Sequence, residues 1–176
     1  GSRHFEPERA YAAVRAAVEA AGEVALLVKR VDTTLRGNPG REMDAAVDVL
    51  AARFPSNRVR ALAVPAFPDA GRTTVGGVHL VDGVPLIRTD VARDPFAPVQ
   101  HSRVRAVLRQ QTARTLDEIA LDVVQRGADS VAAALLESSA DVVVCDAVTN
   151  EHLCTIAAAA ARLSIEESIK WVSLDS

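Results

Sequence analysis

Residues 29–38 place three cations, one acid and two hydroxyls in a single short stretch: Lys29, Arg30, Asp32, Thr33, Thr34 and Arg36, followed by Gly37 and Asn38. Lys29 and Arg36 offer charged donors, and Thr33 and Thr34 offer hydroxyls. A helix starting at Asn38–Pro39 would turn its backbone N–H groups and the positive end of its dipole toward the same place. That is chemistry for a carboxylate or a phosphate. The same residues also fit a plainer reading, with Lys29 and Arg30 as solvated strand-end charges and the threonines as turn formers. A second polar stretch sets Arg72, Thr73 and Thr74 behind Gly71, and a third sets Arg93 beside Asp94 and Pro95. These could converge on the first. Alternatively, Gly71 and Gly77 are turn glycines and Arg93 with Asp94 is a surface pair of little energetic consequence.

Other chemistries find less support. His4, His79, His101 and His152 have no metal-ligand spacing, so no metal is expected. Cys145 precedes Asp146 at the end of an apolar run, without a nearby basic partner in sequence, and reads as a small buried thiol. Asp146 itself is open to capping or binding. Neither G-x-x-x-x-G-K-[ST] nor G-x-G-x-x-G occurs, so a nucleotide site, if one is used, is expected elsewhere.

The elements that must position these groups follow from hydrophobic period. Pro7 opens a helix carrying Ala10, Val14, Ala17 and Val18, closed by Gly22. Residues 24–31 read as a buried strand feeding the first polar loop, and 39–54 as a helix with Met43, Val47, Leu50 and Phe54 on one face. Residues 59–64 read as a second buried strand, and 65–77 as a long irregular loop. Asp82-Gly83 between two short apolar runs predicts a β-hairpin over 78–87. After a second irregular loop over 88–98, Ser102 can cap a helix carrying Val104, Val107 and Leu108. Ile119, Leu121 and Val123 alternate as in a half-buried strand, and a helix through Val131, Ala134 and Leu135 follows. The run VVVC within 141–146 is a strong buried strand. Thr149 is an N-cap for a helix through Leu163, and 171–174 offer a last strand. This alternation predicts an α/β fold, a three-layer sandwich around a mainly parallel sheet with the hairpin as an antiparallel excursion.

Length and composition bound the rest. With 176 residues, 49% of them hydrophobic, the chain suits a single domain with a buried core. Twenty Lys and Arg against 23 Asp and Glu give a net charge of −3 and no global field for nucleic acid or anionic lipid, so an anion must be bound locally. Aromatics at 3% do not suit base stacking. The apolar runs 131–136 and 156–161 are far shorter than the ~18 residues of a membrane span. Two cysteines without a disulfide framework favour a reducing, cytoplasmic setting.

Taken together, the loops KRVDTTLRGNPG (29–40), VPAFPDAGRTTVGG (64–77) with the hairpin VHLVDGVPL (78–86), VARDPFAPV (91–99) and the run VVVCDAVTNEHL (142–153) resemble the four-carbon acid sugar kinase family. Two positions depart from its pattern, Thr33 for serine and Val91 for an aromatic residue. The resemblance covers most of the chain. It implies the substrate-binding N-terminal domain of an ATP-dependent kinase of threonate- or erythronate-type acids. The opening strand with an acidic motif and the C-terminal ATP domain would then lie outside residues 1–176, and the isolated chain would be inactive. ATP and Mg would be bound mainly outside the chain, and the partners would be a small sugar acid and a C-terminal nucleotide-binding domain. The resemblance assigns Lys29 and Arg36, beside Gly37, to anion recognition, Thr33 and Thr34 to hydroxyl contacts, and Asp32 to a substrate hydroxyl or to base duty. Arg72, Thr73, Arg93 and Asp94 would form the pocket wall. The alternative is a non-catalytic acid-sugar-binding or orphaned structural domain.

Overall fold

The computed structural model describes every residue except Gly1, Glu23 and Ala25. Among the described residues, five parallel strands form the main sheet: β1 (Leu27–Arg30), β2 (Val59–Val64), β6 (Leu116–Ile119), β7 (Val142–Cys145) and β8 (Lys170–Asp175). They lie in the order β1-β8-β2-β7-β6. β7 is apolar throughout and β2 is apolar except for Arg60 because both of their faces are covered. In β2, Ala61 and Ala63 face one core while Leu62 and Val64 face the other; in β7, Val142 and Val144 separate from Val143 and Cys145 in the same way. The period-two alternation of side chains thus divides the apolar residues between two layers of helix.

One layer holds α1 (Pro7–Ala20), α2 (Pro39–Arg53) and α3 (Val104–Arg109). The other holds α4 (Leu121–Gln125), α5 (Ala128–Glu137) and α6 (Asn150–Glu166). Pro7 and Pro39 sit in the first turns of α1 and α2, where no intrahelical N–H is needed. At α6 the Thr149 hydroxyl accepts from the His152 N–H, as an N-cap should. The chain is therefore a three-layer α/β sandwich.

A small antiparallel sheet of β3 (Arg72–Val75), β4 (Val78–Val81) and β5 (Val84–Pro85) projects from it. The expected hairpin is its β4–β5 half, with Asp82 and Gly83 at positive φ in the turn. The loop expected over 65–77 instead contains β3, because Thr74 exchanges two backbone hydrogen bonds with Ala147 beyond β7 as well as pairing with β4. Strand β1 falls within the expected 24–31, of which Ala25 lies outside the described residues. The strand expected at 119–123 lies earlier, at Leu116–Ile119, and Leu121 already belongs to α4. Ser102 is not a helix cap; its Oγ accepts from the Ile87 N–H.

Candidate functional site

The first polar loop leaves the carboxyl end of edge strand β1 and enters α2, the region of a parallel sheet where ligands gather. A cavity of about 310 Å³ opens there, lined by residues that include Ser2, Arg3, Lys29, Arg30, Asp32, Arg36 and Glu42. That volume is at the small end of the roughly 300–1,000 Å³ common for small-molecule sites.

Asp32 is the hub of this loop. Its Oδ2 accepts from the Thr34 N–H at 3.3 Å, the Thr34 hydroxyl at 2.6 Å, the Arg36 N–H at 3.3 Å and Arg36 Nε at 2.9 Å. Its Oδ1 accepts from Arg36 Nη2 and from Arg3 Nη1, each at 3.1 Å. Partial burial pushes this carboxyl up, but the hydrogen bonds from Arg36 and Thr34 outweigh burial and hold it at about 2. With six donors on two oxygens, Asp32 has little capacity left to take a proton, and its geometry is that of a loop organiser.

All three guanidinium nitrogens of Arg36 are engaged. Its Nε and Nη2 grip Asp32 side by side, and Nη1 donates to Asp94 Oδ2 at 3.0 Å. Asp94, held by the Phe96 and Ala97 N–H groups and then by Arg36, is also kept at about 2. Lys29 pairs with Glu42 at 2.6 Å, and the Ser2 hydroxyl donates to the same Glu42 carboxylate. Among the described residues, no carboxylate comes within ion-pair distance of Arg30, which lines the cavity; its charge acts on the Asp175 carboxyl, its register partner on β8.

The helix end contributes less than its position suggests. Pro39 has no N–H, and the Gly40 N–H already donates to Gln111 Oε1 at 2.8 Å. Gly37, at φ +88°, passes so close to Arg3 that a Cβ would lie 2.9 Å from its Cα. Only glycine combines this conformation with this approach.

The structure thus gathers Lys29, Asp32, Thr34, Arg36, Gly37 and Asp94 into one cluster. Thr33 contributes its backbone carbonyl, which faces His79 Nε2 at 3.0 Å. Arg93 is largely exposed and approaches only Asp90, at 3.9 Å. Arg72 turns its Nη1 back onto the Ala70 carbonyl, and Thr73 pairs with Leu80 within the small sheet. Asp146 accepts from the Gly76, Gly77 and Leu121 N–H groups and so clamps the small sheet to the ends of β6 and β7. Ser2, Arg3 and Arg30 escaped the sequence reading as site residues. Their charge and hydroxyl were visible, but nothing local announced that the segment before α1 folds over the end of β1.

Among the described residues, no three of His, Cys, Asp and Glu are grouped as a metal site requires. Among the described residues, no helix is long and apolar enough to cross a membrane.

The sequence model of a family described as a sugar-binding N-terminal domain matches residues 1–174. Over 161 residues the chain is 43% identical to a D-erythronate kinase of Heliobacterium modesticaldum, covering 89% of this chain and 36% of that protein. It is 36% identical to a D-threonate kinase of Salmonella typhimurium, covering 90% and 37%. A solved structure from Bordetella bronchiseptica, described as a domain of unknown function with bound citrate in a domain-swapped dimer, matches with a TM-score of 0.79 at 30% identity. It covers 99% of this chain and 40% of that one. The chain therefore spans well under half the length of these relatives.

Proposed function

Since the chain belongs to the family of sugar-binding N-terminal domains, homologous to the N-terminal part of the erythronate, threonate and 3-oxo-tetronate kinases, we propose that residues 1–176 form one domain that binds a four-carbon sugar acid in the cavity at the end of β1. The observation that carries this reading is the charge around the cavity. Arg3, Lys29, Arg30 and Arg36 face only two lining acids, Asp32 and Glu42, and Arg30 is unpaired among the described residues. The acid's carboxylate docks on Arg30, with Arg3 beside it, since a free guanidinium fork matches a carboxylate better than one already gripped by another acid. Lys29 and the Ser2 hydroxyl meet the sugar hydroxyls. Asp32, Thr34, Arg36, Gly37 and Asp94 keep the loop in shape, while Thr33, Arg72, Thr73 and Arg93 stand behind or outside it. Asp32 shapes the site and does not act as a base.

The whole kinase transfers the terminal phosphoryl group of ATP to a hydroxyl of the acid, chemistry that rests mostly on positioning and charge stabilisation. We assign ATP and its Mg²⁺ mainly to the remainder of the kinase, since the chain spans only 36% of the D-erythronate kinase it matches. This chain's share is to hold the acid in register and to exclude water around it. The cytoplasm, where ATP is available, is the compartment this activity needs.

Titration calorimetry of the chain with D-erythronate, D-threonate and the uncharged polyol erythritol tests the reading. The acids bind, and the polyol binds at least about tenfold more weakly, as expected if a charge-assisted hydrogen bond is lost. Equal affinity for the polyol, or no binding of any acid, would refute it. A phosphoryl-transfer assay on the longer protein then separates the kinase from an acid-sugar sensor, which binds without turnover.

A further inference from the structure

His79 is completely buried on β4, yet both of its ring nitrogens are engaged. Nε2 faces the Thr33 carbonyl oxygen at 3.0 Å, and Nδ1 faces the Thr74 hydroxyl at 2.9 Å. A carbonyl oxygen can only accept, so the ring proton sits on Nε2. Nδ1 is then an acceptor, and the Thr74 hydroxyl must donate to it. Burial pushes the imidazole's proton affinity down, in keeping with this neutral form.

The partner of Nε2 matters more than the bond itself. The Thr33 carbonyl and the Thr34 N–H belong to one rigid peptide plane. Its oxygen is held by His79 and its N–H donates to Asp32, so turning the plane would break both contacts. The other end of the brace is firmly anchored. Thr74 is locked to Ala147 by two backbone bonds, and the Gly76 and Gly77 N–H groups are locked onto Asp146 at the end of β7. The small antiparallel sheet therefore serves as a strut from the far side of the main sheet to the loop beside β1, and His79 is its contact point.

We infer that His79 is a positioning residue for the acid-binding cavity: through Nε2–H it fixes the Thr33–Thr34 peptide so that Thr34 and Arg36 converge on Asp32. The inference rests on the sugar-acid reading of the cavity for its functional consequence, but not for its geometry. It assigns the hairpin a part in substrate binding that its distance in sequence conceals.

The test uses variants that separate the two ring contacts. In His79→Gln the side-chain amide nitrogen can take the place of Nε2, whereas in His79→Asn the amide is too short to reach Thr33. Thr74→Val removes only the bond to Nδ1. Wild-type ¹⁵N spectra of the imidazole show the proton on Nε2. His79→Asn weakens D-erythronate binding about tenfold, on the order of one hydrogen bond lost from the loop that shapes the cavity, and His79→Gln stays within about threefold of wild type. Thr74→Val lowers the urea midpoint without weakening the acid. Without any ligand, the ¹³C titration of the Asp32 carboxyl moves up in His79→Asn and not in His79→Gln.

A proton on Nδ1, or an Asp32 titration in His79→Asn identical to wild type, would overturn the inference. If His79→Asn does not fold, His79→Leu, which keeps the bulk and removes both ring contacts, takes its place: a raised Asp32 titration supports the brace, and one identical to wild type refutes it. Should wild type bind no acid, the cavity reading fails, while the tautomer and the Asp32 titration still decide the role of His79.

Discussion

Replacing Arg36 by lysine keeps the charge and removes the fork. The structure specifies what is lost: a two-nitrogen grip on Asp32 at 2.9 and 3.1 Å and a third bond to Asp94 at 3.0 Å, of which one ammonium at the end of a flexible stem can reproduce at most one well. Asp32 supplies the magnitude. A carboxyl held at about 2 instead of its ordinary 3.8 binds its proton less tightly by an amount equivalent to roughly 2 kcal/mol. Solvent screening of a half-buried group reduces the share that Arg36 contributes to about 1 kcal/mol. For a chain of this length that is a fall of about 2–4 °C in melting temperature.

The pH dependence sharpens the test. Asp32's folded value lies below its unfolded one, so its contribution is complete above pH about 4 and is lost as pH falls toward about 2. The gap between wild type and Arg36→Lys, followed by thermal denaturation at constant ionic strength, should therefore be full at pH 6 and shrink below pH 4. Acid binding should weaken together with stability, because the loop that shapes the cavity loosens. A variant that melts with wild type at pH 6 but binds the acid much more weakly would refute this reasoning and make Arg36 a direct ligand of the substrate.

Two further substitutions probe the frame of the site and of the fold. Gly37→Ala places a Cβ 2.9 Å from Arg3 at φ +88°, and should cost about 1–2 kcal/mol in urea denaturation and weaken acid binding by displacing Arg3; unchanged stability would contradict the close approach. Arg60, buried on β2 and pushed down to about 10 by burial and by nearby Arg58, donates to the Leu135 carbonyl in the last turn of α5 and to the Ala140 carbonyl in the segment before β7. Arg60→Ala leaves those carbonyls orphaned above a cavity and should cost about 3–5 kcal/mol with acid affinity retained in the folded fraction; a loss below about 1 kcal/mol would show that the buried charge is compensated some other way.

The sequence by itself determined the sandwich. β2 and β7 are covered on both faces; β7 reads as an unbroken apolar run and β2 as one interrupted only by Arg60, while α2 carries its start signal in Pro39 and α6 in Thr149. The residue types of the loop at 29–38, its cations, hydroxyls and glycine, are local facts too, whereas the left-handed conformation of Gly37 and the partner of each charge belong to the tertiary structure. Two elements were misread where local pattern and long-range pairing disagree. Strand β3 is Arg-Thr-Thr-Val, without an apolar period, and exists because Thr74 meets both His79 and Ala147. Ile119, Leu121 and Val123 alternate like a strand, but β6 pairs with β7 only as far as Ile119, and the next turn is helical.

What only the tertiary structure decided is which donor meets which acceptor. Arg36 finds Asp94 58 residues away, Lys29 is neutralised by Glu42, Arg3 reaches Asp32 across 29 residues, and Arg93 is left in solvent beside Asp94. Propensity and periodicity act over a few residues and fix the elements. The charge balance of the cavity depends on through-space distances of about 3 Å, and these exist only once β1, α2, the segment before α1 and the small sheet have packed together.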